Sequence, residues 1–333
     1  VGQFFFSFLP HFYKTLYVMK YDKSNPLRCF FAFEGYNSQG LALNRLKKML
    51  PDFEWVCVGR SEIDRYAITA ANALFPESAE LNYGDISKID WASVPDFDLF
   101  TYSFPCQSIS VAGLQHGFAE NSGTRSSLLW ECRKAIKTKR PKYLLMENVK
   151  ALISKKFKPD FERWLVTLSL MGYVNFYQVL NAKNYGVPQN RERVFMVSIR
   201  DDGESPQYHF PKTFNLVKRL RDILEDEVDE RFFLRQEQVD RIVAHCQRKV
   251  EEGCGYKTNF TPPTELAEQS KQEKDSENTT PTLSNRIIPM AKINSSQDGI
   301  VVTADGIAKT LMVGHCNVPK VMINEKNSRT TEY

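Results

Sequence analysis

The chain has 7 cysteines in 333 residues, yet no Cys-x-x-Cys pair and no cysteine–histidine spacing of the zinc-holding kind. An odd number of thiols without a framework fits a reduced, cytoplasmic protein and excludes a disulfide scaffold. No apolar run is long and continuous enough to read as a membrane span. A signal peptide is missing too. Residues 1–18 are aromatic-rich and nearly uncharged, with Pro10 in the middle, and offer neither a basic start nor a small-residue cleavage site. Met19 opens the segment with a recognisable pattern, so 1–18 read as a non-native or upstream extension. There is no internal repeat and no dinucleotide-type G-x-G-x-x-G. A large excess of either charge is lacking, with 44 Lys and Arg against 40 Asp and Glu: the net +4 permits a nucleic-acid partner without requiring one. What remains, 42% apolar and 25% charged residues, is ordinary for a globular chain, and 333 residues exceed one hydrophobic core, so two domains are expected.

The chain is organised around Asp96-Phe97-Asp98-Leu99-Phe100-Thr101-Tyr102-Ser103-Phe104-Pro105-Cys106-Gln107. An apolar run of strand type stops at Phe104-Pro105, because Pro105 has no N–H for a sheet ladder and biases its predecessor to extended geometry. Cys106 is therefore expected just past the carboxyl end of a strand, where open α/β sheets place ligands. A lone cysteine more often packs as a small hydrophobe. Two further stretches weigh against that reading. Lys142-Tyr143-Leu144-Leu145-Met146 is a buried-strand run that ends in Glu147-Asn148-Val149, an acid at a second strand end. Gln189-Asn190-Arg191-Glu192-Arg193 is a basic cluster that feeds a third apolar run.

Upstream, Cys29-Phe30-Phe31-Ala32-Phe33 reads as a strand, followed by Gly35 and Gly40 and then by leucines at helical spacing, Leu41, Leu43, Leu46 and Leu50. A glycine loop between a strand and a helix can turn backbone N–H groups toward a ligand. Trp55-Val56-Cys57-Val58-Gly59 is the next strand, and Glu62 lies just past it, where one carboxylate can pair with a ribose diol. A solvated loop acid is the plainer reading of Glu62, and turn chemistry the plainer one of Asp85. Helices are expected over 64–74, 127–136 and 157–171, the last ended by Gly172, and strands over 173–180 and 193–199. The glycine- and serine-rich stretch 108–125 lacks periodicity, and a loop that long is usually functional. Beyond 200 the texture changes. Short helices are expected near 217–224 and 236–246, a polar loop-rich stretch over 256–285, and β-type runs at 300–303 and 307–313.

Phe-Pro-Cys-Gln, Glu-Asn-Val and Gln-x-Arg-x-Arg, in that order, resemble the core motifs of bacterial and phage DNA (cytosine-5)-methyltransferases. The resemblance covers about 28–200, with a shorter echo near 306–320. It implies an α/β fold: a Rossmann-like S-adenosylmethionine-dependent methyltransferase domain over 19–200 and a smaller, loop-rich target-recognition domain over 201–333. Cys106 would be the nucleophile, Glu147 the acid at the base's N3, and Asn148 the residue holding the Glu147 loop. Arg191 and Arg193 would bond the base carbonyl or nearby phosphates; a surface ion-pair strip on an edge strand is their plainer reading. Phe33 and Gly35 resemble the family's cofactor loop, with Asn37 where a second glycine is usual. Glu62 would take the ribose and Ile63 the adenine face. Asp85, Ile86, Pro105 and Leu128 match further cofactor contacts, and Thr310-Leu311 resembles a pair in the recognition domain. The stretch 108–125 would close over DNA after the target base has left the stack.

The partners so implied are S-adenosylmethionine and double-stranded DNA, with no metal and no membrane, and with a cognate restriction endonuclease encoded nearby. The complete protein would be a monomer. A tRNA-directed enzyme of the same fold and a catalytically impaired DNA-binding remnant remain alternatives, whereas the glycine loop is wrong for a nicotinamide dehydrogenase. The family's closing segment, an Arg/Leu-rich stretch with a Gly-Asn-Ser turn and a helix, has no counterpart after Lys320. The sequence therefore reads as truncated at its C-terminal side, with a cofactor pocket open on one side, weak S-adenosylmethionine binding and slow or no methylation by itself.

Overall fold

The structure, a computed structural model, describes residues 21–109, 117–120 and 122–227, single positions between 229 and 248, and short strands at 289–292, 300–303, 308–309, 320–322 and 330–332. By compactness the chain divides into one unit of Val1–Asn181 with Glu192–Thr213, and a second of Ala182–Arg191 with Phe214–Tyr333. The sequence places a boundary at residue 200. Compactness carries the first unit on to Thr213, where Phe176 and Phe210 both pack on Tyr208, and assigns Ala182–Arg191 to the second.

In the first unit the order is β1 (Leu27–Ala32), α1 (Ser38–Met49), β2 (Trp55–Ser61), α2 (Arg65–Leu74), β3 (Leu99–Tyr102), α3 (Leu129–Lys139), β4 (Tyr143–Val149), α4 (Lys158–Leu170) and β5 (Tyr173–Asn181). After β6 (Gln189–Asn190), which falls in the second unit, β7 (Glu192–Arg200) returns to the first. The sheet order is β2-β1-β3-β4-β7-β5, with β2, β1, β3 and β4 parallel and β7 antiparallel to both its neighbours. Because β2 and β3 flank β1 on opposite sides, the crossovers reverse direction there. The crevice beyond the carboxyl ends of β1 and β3 is the topological switch point, where such sheets bind ligands.

β3 and the Tyr143–Met146 part of β4, central in the sheet, are buried at every position, so they read as nearly unbroken apolar runs and not as alternations. An aromatic core of Phe30, Trp91, Phe97, Phe100, Tyr102, Trp130 and Trp164 fills one side. Phe30 lies so close to β2 that a Cβ on Gly59 would come within 2.6 Å of its ring, so only glycine fits there.

In the first unit, strands and helices lie within a few residues of where the sequence puts them. β4 runs through Glu147 to Val149, as the sequence expects, because β7 pairs with it along its whole length, Val149 opposite Arg193. The helix expected near 217–224 is a single 3-10 turn, Leu220–Ile223. There the Arg219 guanidinium takes the carbonyls of Leu216, Val217 and Lys218, which a regular helix would need as acceptors.

In the second unit β8 (Pro289–Lys292), β9 (Ile300–Thr303), β11 (Lys320–Met322) and β12 (Thr330–Glu332) form a sheet in the order β12-β11-β9-β8, and β10 (Ala308–Lys309) pairs with β6. The described positions of 236–248 include helical ones. The stretch 256–285 and Thr310-Leu311 lie outside the described residues, as does part of 108–125. No helix among the described residues is long and apolar enough to cross a membrane.

Candidate active site

Four neighbouring strands of the first unit, β1 to β4, supply the residues, with Arg193 added from β7. After β1 the chain turns through Phe33 (φ 53°), Gly35 (φ 60°) and Asn37 (φ 60°), three left-handed residues in five. Glycine and asparagine tolerate that region best, so Asn37 does the conformational work of the glycine it replaces. It also caps α1: the Gly40 N–H donates to Asn37 Oδ1 at 2.8 Å. Its Nδ2 is buried without a partner among the described residues, as is Glu34 Oε2.

Glu62, one residue past β2, closes this loop. The Gly35 N–H donates to its Oε2 (2.9 Å), and the N–H groups of Ile63 (2.8 Å) and Asp64 (2.9 Å) donate to Oε1. Asn82 reaches across to both the N–H and the carbonyl of Glu62. The acid is thus a fixed loop element and not a solvated one. Beside it Ile63 stands 72% exposed, an apolar side chain left in the open at a strand end. Asp85 does turn chemistry, its Oδ1 accepting from the Ser87 N–H and hydroxyl; those bonds hold its pKa below the usual carboxylate value. Ile86 is buried in the aromatic core, and Leu128 packs against that core, partly exposed.

After β3, Phe104-Pro105 is held from behind. Asn148 Nδ2 donates to the Phe104 carbonyl at 3.0 Å, and the buried Ser126 hydroxyl donates to the Pro105 carbonyl at 2.6 Å. The same hydroxyl accepts from the Ser108 N–H (3.2 Å), and the Ile109 N–H closes a turn on the Cys106 carbonyl (3.0 Å). Cys106 is partly buried in that turn. The other thiols of this unit are of another kind: burial raises the pKa of Cys29 and Cys132 far above normal and pushes Cys57 up to about 11.

On β4, Glu147 pairs with Arg193 of β7, Nε to Oε1 at 3.1 Å, both side chains 13% exposed. Their register explains it. Arg193 faces Val149, so Glu147, two residues along on the same face, is its diagonal neighbour. Arg191 lies in the second unit, where its carbonyl accepts the Ala182 N–H. The structure therefore gives Arg193 a carboxylate partner that the motif alone did not reveal. Ser126 was also missed; nothing in its local sequence marks it, since its role comes from a strand end 21 residues upstream.

A mixed α/β sheet with a glycine loop after β1, an acid after β2, a cysteine past β3 and a glutamate near the end of β4 is an arrangement of the methyltransferase class of α/β proteins. Comparison with the Dnmt2 methyltransferase of S. pombe agrees in fold, with a TM-score of 0.56 over 90% of this chain and 78% of that one, at 16% identity. The chain belongs to the C-5 cytosine-specific DNA methylase family, whose profile matches residues 32–329. It is 54% identical over 158 residues to the type II methyltransferase M2.ScrFI of Lactococcus lactis subsp. cremoris, covering 47% of this chain and 43% of that relative. To the orphan methyltransferase M.Rho11sI of Bacillus phage rho11s it is 33% identical over 253 residues, or 68% and 49% of the two chains. The chain thus spans about half the length of these relatives. Membership implies S-adenosylmethionine as methyl donor, and the residues present suit it: a fixed carboxylate for a ribose, the exposed Ile63 for an adenine face, and the unpaired Asn37 amide for an acceptor at the amino-acid end.

Proposed function

We propose that the chain methylates carbon 5 of a cytosine within a specific duplex DNA sequence, through a covalent adduct on Cys106. The observation that carries this reading is the Asn148–Phe104 hydrogen bond, 3.0 Å long, which ties the Cys106 turn to the strand bearing Glu147. A nucleophile and an acid held on adjacent strands are what an unreactive pyrimidine needs. Carbon 5 of cytosine is a poor nucleophile. When the Cys106 thiolate bonds to carbon 6, the ring's double-bond electrons shift toward N3, where Glu147 donates or shares a proton, and carbon 5 becomes nucleophilic. Arg193 orients the Glu147 carboxylate for that contact. Bound S-adenosylmethionine would supply the electrophilic methyl group, with Glu62 at its ribose and Ile63 at its adenine. Loss of the carbon 5 proton then restores the ring's double bond and expels Cys106 as thiolate.

None of these contacts is possible inside a duplex, so the base must leave the stack at a cost of a few kcal/mol. The second unit is the part that would read the flanking bases. Duplex DNA carrying a mechanism-based cytosine analogue tests the reading. A denaturant-stable adduct with the chain, absent in Cys106→Ser, is the expected result. An adduct formed on tRNA instead would move the substrate class, and none on either polymer would remove the covalent mechanism.

A further inference from the structure

Behind the glycine loop lies an ion pair that the chemistry above does not use. Glu34 and Arg60 are both 0% exposed, with Nη1 of Arg60 2.8 Å from Oε1 of Glu34. The rest of the guanidinium is spent on neighbouring elements: Nε on the Ser78 carbonyl (2.9 Å), Nη2 on the Ala79 carbonyl (3.1 Å) and on Asn72 Oδ1 of α2. Arg60 thus binds β2, α2 and the 76–81 turn into one block, and Glu34 is the only group of the glycine loop that it grips among the described residues. Glu34 stands between two left-handed residues, Phe33 and Gly35, and Gly35 gives its N–H to Glu62. A continuous path therefore runs from Arg60 through Glu34 and Gly35 to the acid proposed for the ribose.

A buried ion pair is weak evidence for stability, because desolvation offsets the attraction. Fixing one arrangement of a loop is the better account of its presence. We propose that Glu34 is a positioning residue, whose ionised form, clamped by Arg60, holds the glycine loop and Glu62 in the cofactor-binding arrangement. This rests on the cofactor reading above. Burial pushes the Glu34 pKa up to about 7, against the pull of Arg60 and with help from Glu62. The charged groups that act on it are Arg60 and Glu62; Cys57, which feels both Glu34 and Glu77, is itself pushed up to about 11 and stays neutral where Glu34 titrates. Protonation weakens the grip of Arg60, so affinity for S-adenosylmethionine should rise with pH through about 7.

The test uses the full chain and two readouts: calorimetry with S-adenosylmethionine at pH 6 and pH 8, and the amide resonances of Gly35 and Ile63 followed without ligand across the same range. If only the ionised form is competent, affinity at pH 6 is about tenfold below that at pH 8, in proportion to the competent fraction. Glu34→Gln, which cannot ionise, should bind more than about tenfold more weakly than wild type at pH 8, show no pH dependence, and lose the amide titration. Should that variant fail to fold, the wild-type readouts still decide. Wild-type amides and affinity that stay flat between pH 6 and 8, or a pH dependence that survives in Glu34→Gln, overturn the proposal. Amides that titrate in wild type alone, in a chain that binds no S-adenosylmethionine at any pH, support the positioning role of Glu34 and overturn the cofactor reading.

Discussion

The loops after β1 and β3 sit at neighbouring strand ends but are built in opposite ways. The first bends through three left-handed residues and is held by charge, with Glu34 on Arg60 and the Gly35 N–H on Glu62. The second is steered by Pro105 and held by neutral bonds from Asn148 and Ser126 to two successive carbonyls. A loop that grips a cofactor gains from fixed charges, which set affinity through strong, directional contacts. A loop that carries a nucleophile is better served by neutral supports, since a nearby fixed carboxylate would oppose the thiolate it must form. On the function proposed above, the contrast makes binding and chemistry separable, and substitutions can test that.

The largest effect is expected from Cys106→Ser, which should abolish the DNA adduct and lower any methylation at least about 1,000-fold while leaving S-adenosylmethionine affinity unchanged. A parallel loss of affinity in calorimetry would break the separation. Glu147→Gln keeps shape and should cost about 100- to 10,000-fold in rate, measured by methyl incorporation into duplex DNA. Glu62→Ala should show the reverse pattern, weakening S-adenosylmethionine by about 1.5–3 kcal/mol with DNA affinity without cofactor unaltered. Asn148→Ala strands the Phe104 carbonyl and the Val149 N–H; it should cost about 1–3 kcal/mol in urea unfolding and slow adduct formation, with cofactor binding intact.

The smallest effect lies away from both loops. Asp202, bonded by Arg200 and Lys142, has its pKa lowered to about 2, with the Arg200 bond the largest cause. A depressed carboxyl contributes stability that is present above its ordinary value near 3.8 and is lost as pH falls toward 2. Asp202→Asn should flatten acid unfolding over that window only slightly, because the side chain is 41% exposed.

The places of Cys106, Glu147 and Glu62 at or near strand ends were legible because each follows a local rule: an apolar run, a proline stop, a polar residue toward the end. What the sequence concealed depends on pairing between distant segments. Arg193 reads as a base or phosphate contact until the β4–β7 register sets it beside Glu147. Arg60, in a strand sequence of Val-Gly-Arg-Ser, carries no sign that it is fully buried, because its partners come from three separate stretches. Ile86 matches a cofactor contact by motif, while its neighbours in space make it core.

The division among the thiols has a practical side. Burial raises the pKa of Cys29, Cys57 and Cys132, and among these Cys57 is partly exposed, as Cys106 is. Alkylating reagents consume thiolate, so a brief maleimide pulse near neutral pH can be followed at Cys106, resolved from Cys57 by peptide mass. Its rate of labelling becomes a gauge of how the turn after β3 responds to cofactor, to DNA or to a change in β4, read by mass spectrometry without any catalytic turnover.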